Sequence, residues 1–439
     1  MQHCDLLIRP RWVITADTEF RVLEDTAVIV NDGRIQALLP VADAAEKFQP
    51  SATIERPGHA LLPGFVNAHT HAAMTMLRGI ADDLPLERWL YDAIWPTEKR
   101  WVSAEMVRDG TELAIAEMIA GGTTCFSDQY FFPEIAAETA ASMHMRAYIA
   151  TPVVDFTTSW AKDAAEHMQK AADLVHDPYV DHPLVATAYA PHSTYALKDD
   201  SLSELRVIAD QLDLRVQMHL HETATEVSNS LEQYGERPLS RLKRLGLVNG
   251  SLLAVHAVHM NADDIELMVE SGVSVAHCPR SNMKLASGFA PIARFLDAGI
   301  TVSVGTDGAA SNNVLDMLSE TRTAALVAKG LTGDARAVSA RKALEMATID
   351  GARCLGLDAD IGSVEPGKWA DLVCIDLNRR NSQPVYDPVS QIVYTARADQ
   401  VSDTWVAGRH LLEDHQLIGV DEDAMLKRCD EWQRRIAQG

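Results

Sequence analysis

Two histidines one residue apart, His69 and His71, close a short apolar run in LLPGFVNAHTHAAM. Side chains of an extended strand alternate between faces, so positions i and i+2 project together and both imidazoles can enter one site. Three further apolar runs end in residues of the same kind. QMHLHET carries His219, His221 and Glu222, LLAVHAVHM carries His256 and His259, and VSVGTDGAASNN carries Asp307. Imidazole and carboxylate donors suit zinc or another divalent first-row ion, and an acid or imidazole beside such an ion can move protons. An isolated HxH is a weak signal, its bland counterpart being two polar residues at a strand end. Four strand ends that agree outweigh the bland reading, because buried His and Asp side chains without a shared partner are costly. Spacing alone does not choose between His219 and His221, which share a face. The run LLAVH ends at His256, ahead of its competitor His259.

These residues need a scaffold that gathers strand ends. Apolar runs at Gly64–His69, Thr123–Ser127, Arg146–Thr151, Leu184–Ala190, Arg215–Leu220, Leu252–His256, Val273–His277 and Thr301–Gly305 alternate with helix-like stretches. One such stretch, Ser103–Ala120, has Ser103 as N-cap and Gly121-Gly122 as its stop; another spans Asn261–Ser271. Eight strands with helical connections predict an α/β fold, a parallel (β/α)8 barrel with chemistry at the C-terminal strand ends; a doubly wound sheet is the competing topology. Both ends of the chain read differently. DLLIRPRWVIT, TAVIVNDGRIQAL with its Asn31-Asp32-Gly33 turn, and SATIERPG read as strands, as do GSVEPGKWADLVCIDL and IVYTARADQVSDTWVAGRHLL. They predict a small β-sandwich assembled from both ends, with residues 1–60 and 359–439 flanking a barrel at 61–358. Residues 421–439 read as a closing helix, with Met425, Cys429, Trp432 and Ile436 on one face.

The composition limits the function classes. The 439 residues hold 39 Lys+Arg against 62 Asp+Glu, a net charge of −23, and this excess of acid argues against a nucleic-acid or anionic-membrane surface. Cys4, Cys125, Cys278, Cys354, Cys374 and Cys429 are scattered with no CxxC, which argues against a thiolate zinc site or a disulfide framework and fits a reducing cytoplasm. The opening MQHCDLLIRPRWVITAD has Asp5 and two arginines where a signal peptide needs an unbroken apolar stretch, so none is expected there, and no window approaches the length of a membrane helix. The zinc deaminase fold built on H-x-E with PCxxC is excluded by the missing CxxC.

LPGFVNAHTH, MHLHE, AVHAVH, AHCPRSNMKL, SVGTDG and the terminal GSVEPGKWADLV together resemble the amidohydrolase superfamily over nearly the whole chain. Within it they resemble the 5′-methylthioadenosine/S-adenosylhomocysteine deaminases and their cytosine-deaminase and triazine-hydrolase relatives. The resemblance implies that His69, His71, His219 and Asp307 hold one divalent metal ion, zinc by expectation. The family's H-x-x-E pattern maps onto His219 and Glu222, leaving His221 a structural part. The fourth strand, LVATAYAPHSTY, lacks the lysine with which many superfamily members bridge two metals, so a mononuclear site is expected. The ion would acidify a water, with Asp307 taking its proton, Glu222 protonating a ring nitrogen and His256 positioning the nucleophile or stabilising charge. His277 stays outside this catalytic set.

Substrate contacts also follow from the resemblance. Trp89 and Glu98, in ERWLYDAIWPTEKR, match positions that this branch uses for a nucleoside, Trp89 against base or ribose and Glu98 on the ribose hydroxyls. Read without the family, the same stretch is an amphipathic helix with a core Trp and an exposed Glu. His192, in APHSTY, is placed against the ring or the 5′ substituent. Family members that act on S-adenosylhomocysteine can hold its carboxylate with arginines after the third strand. Here TPVVDFTTSWAKDAAEHM offers only Lys162, and Arg146 lies on the strand itself. Lysine lacks arginine's bidentate fork, which favours the neutral-tailed 5′-methylthioadenosine, with adenosine as a further candidate. The expected partner is thus a small purine nucleoside, with no nucleic acid and no membrane; a homo-oligomer is compatible with the sequence. Rivals are hydrolysis of a free base, pterin or aminotriazine, and a non-enzymatic barrel scaffold.

Overall fold

The computed structural model describes residues 1–438 and contains two sheets. The first has eight strands, numbered here β1 (Phe65–Thr70), β2 (Thr123–Asp128), β3 (Arg146–Val153), β4 (Val185–Pro191), β5 (Val216–Leu220), β6 (Leu252–His256), β7 (Ser274–His277) and β8 (Val302–Val304). Spatial order repeats chain order from β1 to β8, and the pairs from β3 to β8 run parallel. Every residue of β1, β2 and β3 is buried, as expected of parallel strands covered on both faces. The two end strands are brought together beyond β8. The Asp307 N–H donates to the His69 carbonyl at 3.0 Å, and Thr70 Oγ1 donates to the Asp307 carbonyl at 3.0 Å. A Cβ on Gly305 would stand 2.8 Å from His69 N, so only glycine permits this approach. The sheet is a nearly closed (β/α)8 barrel.

Helix starts follow local chemistry. Ser103 Oγ accepts the Met106 N–H at 3.3 Å ahead of the helix Ala104–Ala120. Asn261 and Asp264 form a reciprocal capping box for Ala262–Ser271, and Gly272 at φ 72° ends it. The helix Glu422–Ala437 buries Met425 and Trp432, and Trp432 Nε1 donates to Asp109 Oδ2 at 2.7 Å.

The second sheet has nine strands drawn from both chain ends and forms the small sandwich. Phe48–Pro63 pairs parallel with Gln2–Ile14 on one side and antiparallel with Leu372–Asp376 on the other, which joins the N-terminal to the C-terminal strands. Ile8, Val28, Leu61, Leu372 and Trp405 share its core. The expected hairpin joins Thr26–Asn31 to Arg34–Pro40, with Asp32 at φ 49° and Gly33 at φ 73°, the left-handed pair that a tight two-residue turn requires. One segment departs from the sequence expectation. IVY, read as strand, belongs to the helix Pro388–Tyr394: the Asp387 side chain caps the N–H groups of Val389 and Ser390, and Pro388 occupies the first turn.

The chain packs into two compact units, one comprising Met1–Asn67, Ala116–Cys125 and Asp316–Val420 and the other Ala68–Ile115, Phe126–Leu315 and 421–438. All of the sequence-predicted site residues fall in the second.

Candidate active site

Strand alternation delivers the histidines as expected. His69 and His71 leave the end of β1, His219 sits on β5, and their reactive nitrogens converge. His69 Nε2 lies 3.2 Å from His219 Nε2 and 3.4 Å from Asp307 Oδ1, and His71 Nε2 lies 3.2 Å from the same carboxylate oxygen. Two of the three rings are oriented by backbone carbonyls at Nδ1: Gln129 O at 2.6 Å from His71 and His192 O at 2.7 Å from His219. Donating from Nδ1 leaves the Nε2 lone pair directed inward, the geometry a metal-ligating imidazole needs.

The electrostatics fit a cation. Burial works against protonation, yet the Asp307 carboxylate raises His71 to about 9. Burial, joined by repulsion among the clustered imidazoles, lowers His69 to about 4 and His192 to about 3, and holds His219 well below its ordinary range. Asp307 is held well below the carboxylate range because its contacts with His69 and His71 overcome burial. Its other oxygen, Oδ2, accepts hydroxyl hydrogens from Ser281 at 2.6 Å and Ser311 at 2.9 Å, and Gly308 N–H donates to Oδ1 at 2.8 Å. His69, His71 and His219 form a metal-capable group, and the Asp307 carboxylate lies against the Nε2 atoms of two of them, His69 and His71, a donor set that suits a divalent ion.

The two histidines of MHLHE separate cleanly. The Leu239 N–H donates to His221 Nε2 at 3.0 Å, so the ring hydrogen is on Nδ1, 3.2 Å from the His259 carbonyl. Both nitrogens are engaged away from the cluster. His259 is likewise occupied, its Nε2 2.7 Å from the Ser287 carbonyl. His256 reaches the cluster: its ring is 5.4 Å from that of His219, its Nδ1 meets Asn282 Oδ1 at 2.9 Å, and its Nε2 lies 3.7 Å from Glu222 Oε2. Burial raises the Glu222 carboxyl above its ordinary range, which suits a group that carries a proton to a substrate. His221, His256 and Asp307 all have positive φ (54°, 70° and 61°), a strained backbone of the sort held in place at functional strand ends.

A cavity of about 550 Å³ opens over these groups. His71, His192, His219, Glu222, His256 and Asp307 line it, and so do Trp89 and Glu98. Trp89 lies on a wide helical turn, Trp89–Ile94, between two short α-helical pieces, and such turns recur at functional sites. Trp89 is 5% exposed, and its Nε1 has no acceptor among the described residues. Glu98 is buried, which overturns the exposed-acid reading of this stretch. It accepts the Tyr130 hydroxyl at 2.7 Å, and burial lifts its carboxyl to about 7. Lys162 and Arg146 lie outside the lining; Arg146 Nη1 donates to the Pro183 carbonyl at 2.8 Å. His277 does not line the cavity either. Among the described residues the lining has no arginine and a single lysine, Lys99, while Leu86, Leu90, Ile94, Trp95 and Phe156 make much of the wall apolar. Sequence reasoning missed Asn282, Ser281, Ser311, Tyr130 and Lys99.

The chain is similar to known proteins over most of its length. Residues 60–411 match the model of the amidohydrolase family. The 5-methylthioadenosine/S-adenosylhomocysteine deaminase of Teredinibacter turnerae is 43% identical over 432 residues, covering 98% of each chain. An adenosine deaminase from Xanthomonas campestris with bound zinc superposes with a TM-score of 0.98 at 48% identity, covering 100% of both chains. The zinc complex of atrazine chlorohydrolase from Arthrobacter aurescens TC1 has a TM-score of 0.91 at 26% identity, covering 97% of this chain and 99% of that one.

Proposed function

The chain belongs to the amidohydrolase family, and on that premise we propose that it is a zinc-dependent deaminase of purine nucleosides, acting best on 5′-methylthioadenosine. Of the three relatives described above, two are deaminases and the two solved structures hold zinc. The observation that carries the reading is the meeting, in one cavity, of a proton-carrying Glu222, the His–Asp cluster and the buried pair Trp89 and Glu98.

His69, His71, His219 and Asp307 would hold the ion, which supplies Lewis acidity that makes water nucleophilic near neutral pH. Every other part of the reaction falls to the chain. Asp307, its Oδ2 held by Ser281 and Ser311, takes a proton from the attacking water. Glu222 gives its proton to the ring nitrogen beside the amino-bearing carbon, so that carbon becomes tetrahedral without stranding negative charge on the ring. His256, oriented by Asn282, stabilises charge beside the new C–O bond. The C–N bond then breaks as Asp307 passes the water's proton to the amine, which leaves as ammonia, while the new hydroxyl returns a proton to Glu222 and becomes the ring carbonyl. The nucleoside becomes its inosine analogue with one water consumed.

Trp89 Nε1, a buried donor lacking an acceptor, and the two Glu98 oxygens provide polar contacts for a ribose. His192 faces the ring or its 5′ side. The apolar wall of Leu86, Leu90, Ile94, Trp95 and Phe156 favours a thioether tail over an amino-acid tail. Ammonia release by zinc-loaded protein, measured on methylthioadenosine, S-adenosylhomocysteine, adenosine, guanine, cytosine and aminotriazines, tests the reading. Methylthioadenosine is expected to turn over best. Equal or faster turnover of a base without ribose overturns the nucleoside assignment.

A further inference from the structure

The third imidazole of the cluster, His69, has no backbone carbonyl at Nδ1. Its neighbour there is the carboxamide of Gln217, whose Nε2 lies 2.9 Å away. Gln217 is two residues before His219 on β5, and therefore on the same face of that strand. Its Oε1 accepts the Ser127 hydroxyl at 2.8 Å, and its Nε2 lies 3.3 Å from Gln129 Oε1. Ser127, Gln129 and Gln217 are all at most 2% exposed. Gln129 is also the residue whose backbone carbonyl orients His71.

The direction of these hydrogen bonds matters. An amide nitrogen facing His69 donates to Nδ1 and puts the ring's own hydrogen on Nε2, the atom that points at His219 and Asp307. That tautomer has no lone pair for a cation. The same orientation leaves Gln129 Nε2 buried without an acceptor. The two ends of a carboxamide exchange by a half-turn about its terminal torsion, and the partners decide between them. A half-turn of both glutamines brings Gln217 Oε1 to His69 Nδ1–H, gives Gln129 Nε2–H the same oxygen as its acceptor, and lets Gln217 Nε2 donate to Ser127 Oγ. Gln129 Oε1 is then unpaired and the Ser127 hydroxyl hydrogen must rotate away from Gln217 to another acceptor; an under-satisfied carbonyl oxygen is better tolerated than an orphaned N–H.

We propose that Gln217 is a positioning residue for the metal site. Its carboxamide oxygen, steadied by Gln129 and Ser127, accepts the His69 Nδ1 hydrogen and so commits His69 Nε2 to binding a cation. Gln129 then serves two ligands at once, His71 through its backbone and His69 through Gln217. The inference rests on the metal-site reading above and extends it to side chains that carry no ligand atom.

Zinc dissociation constants from chelator competition on the full-length protein test it, with metal content and metal-free melting curves measured alongside. Gln217→Met, which cannot accept the hydrogen bond, is expected to weaken zinc binding about 10- to 100-fold. Gln217→Glu, which keeps an acceptor in place, restores wild-type affinity or exceeds it. Wild-type affinity in Gln217→Met, or equal weakening in both variants, overturns the proposal. Neutron diffraction on zinc-loaded wild-type crystals needs no variant to fold: deuterium on His69 Nδ1 pointing at Gln217 Oε1 is expected, and a Gln217 amide deuterium pointing at His69 overturns it. Wild-type protein that takes up no zinc would instead remove the metal-site reading itself.

Discussion

Glu226 holds the backbone of Glu222: its Oε2 accepts the Glu222 N–H at 2.8 Å, while its Oε1 accepts the His221 N–H at 3.1 Å. This buried carboxylate, in the first turn of the helix Ala224–Tyr234, fixes the sharp turn by which the chain leaves β5 with His221 at positive φ. The aim of the Glu222 side chain into the cavity depends on that turn. Replacing Glu226 with Gln keeps one acceptor but turns an N–H toward a backbone N–H. The expected result is a fall in kcat of about 10- to 100-fold, in line with the loss of a charge-assisted hydrogen bond. Zinc content should stay stoichiometric. Steady-state kinetics with metal analysis checks this, and an unchanged kcat would remove Glu226 from the account.

Glu98 makes stability depend on pH. Burial raises its folded-state carboxyl from about 4.5 to about 7, so the folded protein binds this proton more tightly than the unfolded chain. Its favourable contribution is complete below about 4.5 and is lost as pH rises through about 7. Glu98→Gln has no such proton to lose. The melting temperature of the variant should gain on that of wild type between pH 5 and pH 8; a difference independent of pH would contradict the buried-acid description. Bound nucleoside should still require Glu98, so the variant's KM is expected to rise with methylthioadenosine.

The histidines of MHLHE are predicted to fail differently. His219→Ala should abolish stoichiometric zinc. His221→Ala should retain zinc but lose about 1–3 kcal/mol of stability, because the Leu239 N–H is left buried without its acceptor. Metal analysis paired with denaturant titration separates the two. Loss of zinc from a folded His221→Ala protein would return His221 to the ligand set.

Lys99 is the lysine of the cavity wall, and that wall holds no arginine among the described residues. A carboxylate-tailed substrate has this side chain as its available aliphatic cation. Lys99→Met is therefore expected to lower kcat/KM for S-adenosylhomocysteine while leaving methylthioadenosine nearly unaffected. Parallel kinetics on the two substrates checks it, and equal losses on both would assign Lys99 a structural part.

Much of this was legible in the chain because strand periodicity is rigid. A histidine at the end of an apolar run in a parallel sheet has one face available, so His69, His71, His219, His256 and Asp307 fall together once the runs are aligned. What supports them was not legible. Asn282 meets His256 from 26 residues downstream, and Ser281 and Ser311 reach Asp307 from two short helices. Serine and asparagine in a helix start look the same in sequence whether they cap a helix or hold a catalytic acid. Gln217 did leave a signal, its i−2 spacing from His219, but a glutamine carries no chemistry that draws attention to it. The helix Pro388–Tyr394 was misread because β-branched residues outweighed the Asp387-Pro388 start signal.

The seam between β1 and β8 gives the site a mechanical meaning. His69 and Asp307 meet where the ring of strands closes, and the Thr70–Asp307 hydrogen bond spans 237 residues of chain. A cation gripped by both would act as a hasp across that long loop, its binding energy partly spent on keeping the hoop shut. Stripping the ion should let the hoop gape first at this joint. The amide hydrogen of Asp307, which donates to the His69 carbonyl across the joint, should then exchange with solvent sooner than those in the middle of the sheet.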